Sequence, residues 1–137
     1  MKFYQALQAV VRQIPERYMV MVLGDFNARV GNDVETWRGI LGKFGPAEQN
    51  EKGMRLLDFC ALNDLVVTNT LFQHRPCHQH TWFHPAETTY TGHLLDYVLV
   101  NRRFGFSVLD TKLFRKTYLQ SDHRLVVSKV RLKLKAK

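Results

Sequence analysis

Long apolar runs are missing from this 137-residue sequence. The longest, Tyr18 to Leu23, falls far short of the ~18–20 residues that span a bilayer. The opening Met-Lys-Phe-Tyr-Gln-Ala also lacks the apolar core of a secretory signal. No membrane partner is expected. Cysteine is scarce: Cys60 and Cys77 are the two present, and they form neither a CxxC pair nor a framework of bridges. A reducing, intracellular setting follows as the expectation. Internal repeats and low-complexity stretches are absent, which excludes solenoids and arrays. Acidic residues all but vanish toward the C-terminal end. Of 20 Lys and Arg, nine fall within residues 112–137, where Asp122 is the one acidic residue, so the net charge of +8 resides there.

What is present is ordinary globular material, 45% hydrophobic and 23% charged, of a length suited to one domain. Phe3, Leu7, Val10, Val11 and Ile14 recur at helical spacing, with Pro15 as the stop. Tyr18 to Leu23, ended by Gly24, reads as a strand buried on both faces. Residues 31–53 are polar and glycine-rich, a long surface loop with a short helix around Trp37 to Phe44. A second helical pattern covers Met54 to Leu62. Strands are expected at Leu65–Thr68, His80–Phe83, Leu94–Val100 and Val108–Phe114. From Val126 to Lys135 an apolar set alternates with Val127, Lys129, Arg131, Lys133 and Lys135, giving a strand with one basic face. The fold class is α/β with two helices, in a single domain over 1–137 that closes on a basic strand, 124–137. A basic face of this kind suits a polyanion such as nucleic acid.

Gly24-Asp-Phe-Asn-Ala28 directly follows the first strand, so Asp25 and Asn27 stand at a sheet rim. At spacing i and i+2 they project to one side, and a carboxylate beside a carboxamide offers an acceptor and a donor to a water and a phosphate. The competing role is a plain turn or cap. Asp96 interrupts the apolar run Leu94 to Leu99, a costly place for a charge unless it is paired or faces a polar cleft. His123, in Ser121-Asp-His-Arg124, is the natural partner: a carboxylate orients the ring and favours the imidazolium, which binds a phosphate oxygen. Asp122 beside it suits a hard divalent cation, which takes oxygen donors and needs one or two carboxylates. The run from His74 to His84 holds four histidines and Cys77, but its spacing fits no closed structural zinc pattern.

Taken in order, Gly24-Asp-Phe-Asn-Ala28, Thr81-Trp82, Leu95-Asp-Tyr97 and Ser121-Asp-His-Arg124 resemble the endonuclease/exonuclease/phosphatase superfamily. The resemblance is closest to the endonuclease domains of LINE-type (RTE-like) retrotransposons and the craniofacial development protein 2-like group. It covers nearly the whole chain and extends to Gly53–Phe59 and Val67–Phe72. It implies the C-terminal half of a four-layer, DNase I-like α/β sandwich, truncated at the N-terminus, that cuts phosphodiester bonds with Mg²⁺ or Mn²⁺. By motif position, Asp25 would activate or orient the attacking water and help hold metal, and Asn27 would hold the scissile phosphate. Asp96 would pair with His123, His123 would contact the phosphate, and Asp122 would bind metal. Thr81 and Trp82 would line the cleft, with Arg124, Lys129, Arg131 and Lys133 along the substrate. The implied substrate is nucleic acid, DNA rather than RNA, in the nucleus.

Complete members of that superfamily carry a preceding half with an asparagine and a metal-binding glutamate. Neither Glu16, Glu35, Glu48 nor Glu51 stands in a matching context. The expectation is a domain with weak or no activity alone and an exposed apolar sheet face. A second copy or a partner chain would cover that face. The alternative is a non-catalytic module that binds nucleic acid, or dimerises, through its basic C-terminal strand.

Overall fold

The structure is a computed structural model and describes residues 2–74, 96–113 and 126–132. Its best-anchored helix is α2, Glu51–Asn63. Asn50 caps the start from an extended conformation, its Oδ1 accepting the Gly53 N–H at 2.8 Å and the Arg29 N–H at 3.0 Å. Asp64 closes the other end in the left-handed region (φ 55°), its N–H bonded to the Cys60 carbonyl. Leu56, Leu57, Phe59 and Cys60 face the core. Gly53 is required by proximity: a Cβ there would lie 1.7 Å from the Arg29 carbonyl oxygen. The segment after Asn27 is thereby pressed onto the start of α2.

The first helix, α1 (Lys2–Arg12), has the expected amphipathic face but buries no residue fully. Tyr4, Leu7 and Val11 lean on the core, whereas Phe3 and Val10 are each 58% exposed.

Three antiparallel strands form the main sheet in the order β1 (Met21–Asp25), β3 (Asp96–Asn101), β2 (Leu65–Val67). Flanked on both sides, β3 is the strand buried on both faces. Tyr97 and Leu99 join the α2 side, and Val98 and Val100 pack with Val108, Met19, Phe72, Phe104 and Val126 on the other. That corrects the expectation for the first apolar run. The ladder begins at Met21 rather than Tyr18 and continues through Gly24 to Asp25. It is an edge strand with one described neighbour, and every residue but Val22 is exposed. Leu23 pairs with Val98 and Met21 with Val100, so these side chains share the sheet's second face. Yet Leu23 is 64% exposed.

That second face is covered by β4 (Val108–Leu113) and β5 (Val126–Val130), an antiparallel pair. A chain of hydroxyls ties the layers together. Thr68 Oγ1 donates to the Val98 carbonyl at 2.7 Å and lies 3.0 Å from Thr111 Oγ1, which lies 2.9 Å from Ser128 Oγ. Over Val126–Val130 Ser128 is turned inward and Lys129 is exposed as the period-2 reading expects, whereas Val127, on the Lys129 side, is half-buried. Among the described residues the ladder ends there, short of the expected 124–137.

Residues 34–40 form successive turns where a short helix was expected. Gly39 adopts φ 77°, a left-handed conformation that stops a helix. The loop also carries core residues: Leu41 is buried and bridges to Val67, with the Val67 N–H bonded to the Ile40 carbonyl at 2.9 Å. It is not purely a surface loop. The expected strand His80–Phe83, Leu94, Leu95 and Cys77 lie outside the described residues.

Candidate active site at the ends of β1 and β3

The register of β1 on β3 sets Asp25 directly opposite Asp96. Directly opposite residues in an antiparallel pair have Cβ atoms about 4.5–5.5 Å apart. Two carboxylates that are 71 positions apart in the chain are thus brought side by side at the sheet rim, Asp25 exposed and Asp96 half-buried. Both stand on the face that carries Leu23 and Val98, next to the β4–β5 layer.

Beyond Asp25 the strand stops abruptly. Asp25 Oδ1 accepts the Asn27 N–H at 2.8 Å, and Asn27 takes φ 48°. This is an Asx-type turn, so the side-chain alternation expected from Asp25 to Asn27 ends with the strand. Asp25 therefore has the turn role the sequence also allowed, while its position opposite Asp96 keeps it at the rim. The turn is fastened one residue later, where the buried Tyr97 hydroxyl donates to the Ala28 carbonyl at 2.7 Å. Burial pushes the Tyr97 phenol pKa up, which keeps the hydroxyl a donor. Phe26, inside the turn, packs against Tyr97 and Phe3, each at 6.4 Å between ring centroids.

Asn69, to which the sequence reading gave no role, holds β3 from the other flank. Its Nδ2 donates to the Asp96 carbonyl at 3.1 Å and its Oδ1 accepts the Val98 N–H at 2.9 Å. The available signal was Thr68-Asn69-Thr70 closing a strand, a context in which an amide side chain seeks backbone groups.

Of the histidine run, His74 is described: its Nε2 lies 2.7 Å from Asp110 Oδ1 on β4, in a half-buried pair. No group of three or more metal-binding side chains occurs among the described residues. Lys129 and Arg131 are exposed, as is Lys112 on the adjacent strand. Asp122, His123, Thr81, Trp82, Arg124 and Lys133 lie outside the described residues, so the Asp96–His123 pairing stays an expectation. Asp25, exposed at the rim, offers the oxygen donor that a hard divalent cation takes.

A three-stranded antiparallel sheet with helices on one face and a second sheet on the other matches part of a DNase I-like fold. The 3′ phosphatase NExo from Neisseria, bound to a product DNA hairpin, matches it with a TM-score of 0.64 and 16% identity over 96% of this chain and 52% of that one. No family model matches the sequence. Among curated proteins, the chain is 40% identical over 134 residues to craniofacial development protein 2 of Bos taurus and 39% identical to that of Tragulus javanicus. Those matches cover 98% of this chain but 22% and 23% of the relatives, so it spans under a quarter of their length. Sequence and fold together fit an endonuclease/exonuclease/phosphatase-like family.

Proposed function

We propose that this chain is the C-terminal portion of a retrotransposon-derived, divalent-metal-dependent phosphodiester hydrolase that acts on nucleic acid, DNA before RNA. The observation that carries the reading is the register placing Asp25 opposite Asp96 at the rim of the sheet. Asp25 and Asp122 would hold Mg²⁺ or Mn²⁺ there, and Asp96 would pair with His123. Such an ion, when bound, supplies charge stabilisation to a phosphate and acidifies bound water. The chain's own residues supply positioning: the Asp25 carboxylate accepts the Asn27 N–H, the Tyr97–Ala28 bond fixes that turn, and the Asn27 carboxamide would hold the phosphate. His123 would contact the phosphate oxygen. The exposed Lys112, Lys129 and Arg131 would attract the polyanion. A nuclear setting goes with that substrate.

The open flank supports incompleteness. Among the described residues, the outer edge of β1 has no neighbouring strand, and Met21 and Leu23 remain exposed on a face that is otherwise packed. The structural neighbour has about as much chain again. Activity alone is therefore expected to be weak or nil until a preceding segment, a partner chain or a second copy covers that flank.

Mg²⁺-dependent nicking of supercoiled plasmid tests the reading. The expected result is slow nicking at most, abolished in Asp25→Ala and Asp96→Ala. Robust nicking by the 137-residue chain alone overturns the incompleteness, and nicking that survives both substitutions overturns the site.

A second reading, binding without cleavage, is favoured by the exposed basic residues of β4 and β5. It predicts affinity for duplex DNA that falls steeply with salt and persists in Asp25→Ala. A flat salt response removes it.

A further inference from the structure

A cavity of about 450 Å³ opens at the end of the main sheet opposite Asp25 and Asp96, where β3 runs out at Asn101. Both helices end on it: Val11 and Arg12 belong to the last turn of α1, and Leu62 and Asn63 to the last turn of α2. Val11, Ile14, Leu62 and Leu65 give it aliphatic walls, and none of its lining residues is aromatic. The segment between α1 and β1, which forms one wall, is pinned in place. Asn101 Oδ1 accepts the Val20 N–H at 3.0 Å, and its Nδ2 donates to the Tyr18 carbonyl at 2.9 Å. The Tyr18 N–H in turn donates to the Pro15 carbonyl at 3.0 Å. The volume falls within the ~300–1,000 Å³ of ordinary ligand sites.

The polar groups of the cavity are only partly engaged. Arg12 and Arg103 line it and are exposed, and among the described residues neither has a carboxylate partner. Arg103 reaches the Glu16 carbonyl at 3.4 Å. Two carboxylates also border the cavity, Glu16 and Asp64, the second lying 3.9 Å from Arg102. Three guanidiniums thus stand against two carboxylates, and the balance is positive. Asn63 Nδ2 donates to Gln8 Oε1 at 3.2 Å and to the Phe59 carbonyl at 2.9 Å. Its Oδ1 is a buried acceptor with no hydrogen-bond partner among the described residues. The ends of α1 and α2 add carbonyls that the helices themselves do not bond.

We propose that this cavity docks an acidic, aliphatic peptide segment of a partner protein. A carboxylate of the peptide pairs with Arg12 and Arg103, an aliphatic side chain fills the walls, and backbone N–H groups turn toward the helix ends. The three chemistries of the lining select this occupant together. Guanidiniums take a carboxylate through charge-assisted hydrogen bonds. Helix-end carbonyls and Asn63 Oδ1 call for N–H donors, which every peptide carries. A fatty acid brings the anion and the apolar tail but no such donor. A nucleotide brings phosphate, yet the walls hold no aromatic face on which its base would stack. The cavity lies away from the rim, so the proposal stands apart from the hydrolase reading.

The test is a titration of the full chain with a short capped peptide that alternates leucine and glutamate, followed by amide NMR. Shifts should centre on Val11, Ile14, Leu62 and Asn63. Arg12→Glu and Arg103→Glu should each weaken binding roughly tenfold or more. Both side chains are exposed, so both variants should fold. Lys129→Glu makes the same change of charge on β5 and should leave the affinity as it was. Equal loss in all three variants reduces the binding to net charge and overturns the proposal. Exchanging the glutamates of the peptide for lysine, or its leucines for serine, should abolish binding; an exchanged peptide that binds as well overturns it too. Decanoate and a DNA hairpin serve as competing probes. If either shifts these amides and the peptide does not, or if the peptide leaves them unmoved, the cavity is not a peptide site.

Discussion

The two helices look alike in sequence and differ in the structure. Both α1 and α2 are amphipathic, yet α2 buries Gly53, Leu56, Leu57, Phe59 and Cys60 and is capped at both ends, whereas α1 buries nothing fully. The two longest strands of the main sheet repeat the contrast. Four consecutive residues of β3, Tyr97 to Val100, are buried, while β1 exposes all but Val22. The boundary between a closed side and an open side runs along β1, and the candidate site lies on it. An apolar pattern records a need for burial. It does not say whether the burying partner belongs to the same stretch of chain.

Removing core volume on the closed side should have the largest effect. Leu56→Ala, at a fully buried position of α2, should cost about 2–5 kcal/mol in urea unfolding. A loss below about 1 kcal/mol would mean that α2 is no better anchored than α1. The next effect is at the cap. Asn50→Ala strips one acceptor from both Gly53 and Arg29 and should cost about 1–2 kcal/mol. Because it also frees the segment that follows Asn27, this substitution should disturb Asp25 more than its distance in sequence suggests.

Much of this was legible beforehand. Helical periodicity located both helices, and the period-2 alternation located β5 with its outward Lys129 and inward Ser128. The pairing of Asp25 with Asp96 was not legible, because register is decided by tertiary packing over 71 positions and leaves no local mark. Asn69 was missed for a related reason. A side chain that substitutes for a strand has no periodicity, and its signature exists only once both backbones are placed. The burial of the first apolar run was misjudged because Tyr18 to Leu23 reads as central, while β1 has a single neighbouring strand among the described residues.

A milder contrast comes from ionisation. Burial pushes the Cys60 thiol on α2 up to about 12 from 9.0. The folded state then keeps a proton that the unfolded chain loses above pH 9. Stability present below that pH should fall as pH rises from 9 toward 12, by up to about 1.4 kcal/mol per unit. Urea midpoints across pH 8 to 10.5 check the sign. Tyr97, also raised, acts in the same direction from about pH 10. In native protein Cys60 should resist alkylation at pH 8 and react once urea unfolds the chain. Prompt reaction in the folded state would move Cys60 to the open side.

The smallest effect belongs to the open side. Val10 is 58% and Leu23 64% exposed, so little of their surface is transferred out of water in this chain. At about 25 cal/mol per Å², replacing either with serine should change stability by under about 0.5–1 kcal/mol. The result depends on whether the face is free or covered. A covering segment or second copy would make Leu23 a core residue beside Val98, and Leu23→Ser would then cost as much as an internal truncation, about 2–4 kcal/mol. Unfolding Leu23→Ser at several protein concentrations separates the two states. A small, concentration-independent loss shows β1 bare in the isolated chain. A large loss with a concentration-dependent midpoint shows two copies closing the sandwich across β1, directly beside Asp25 and Asp96.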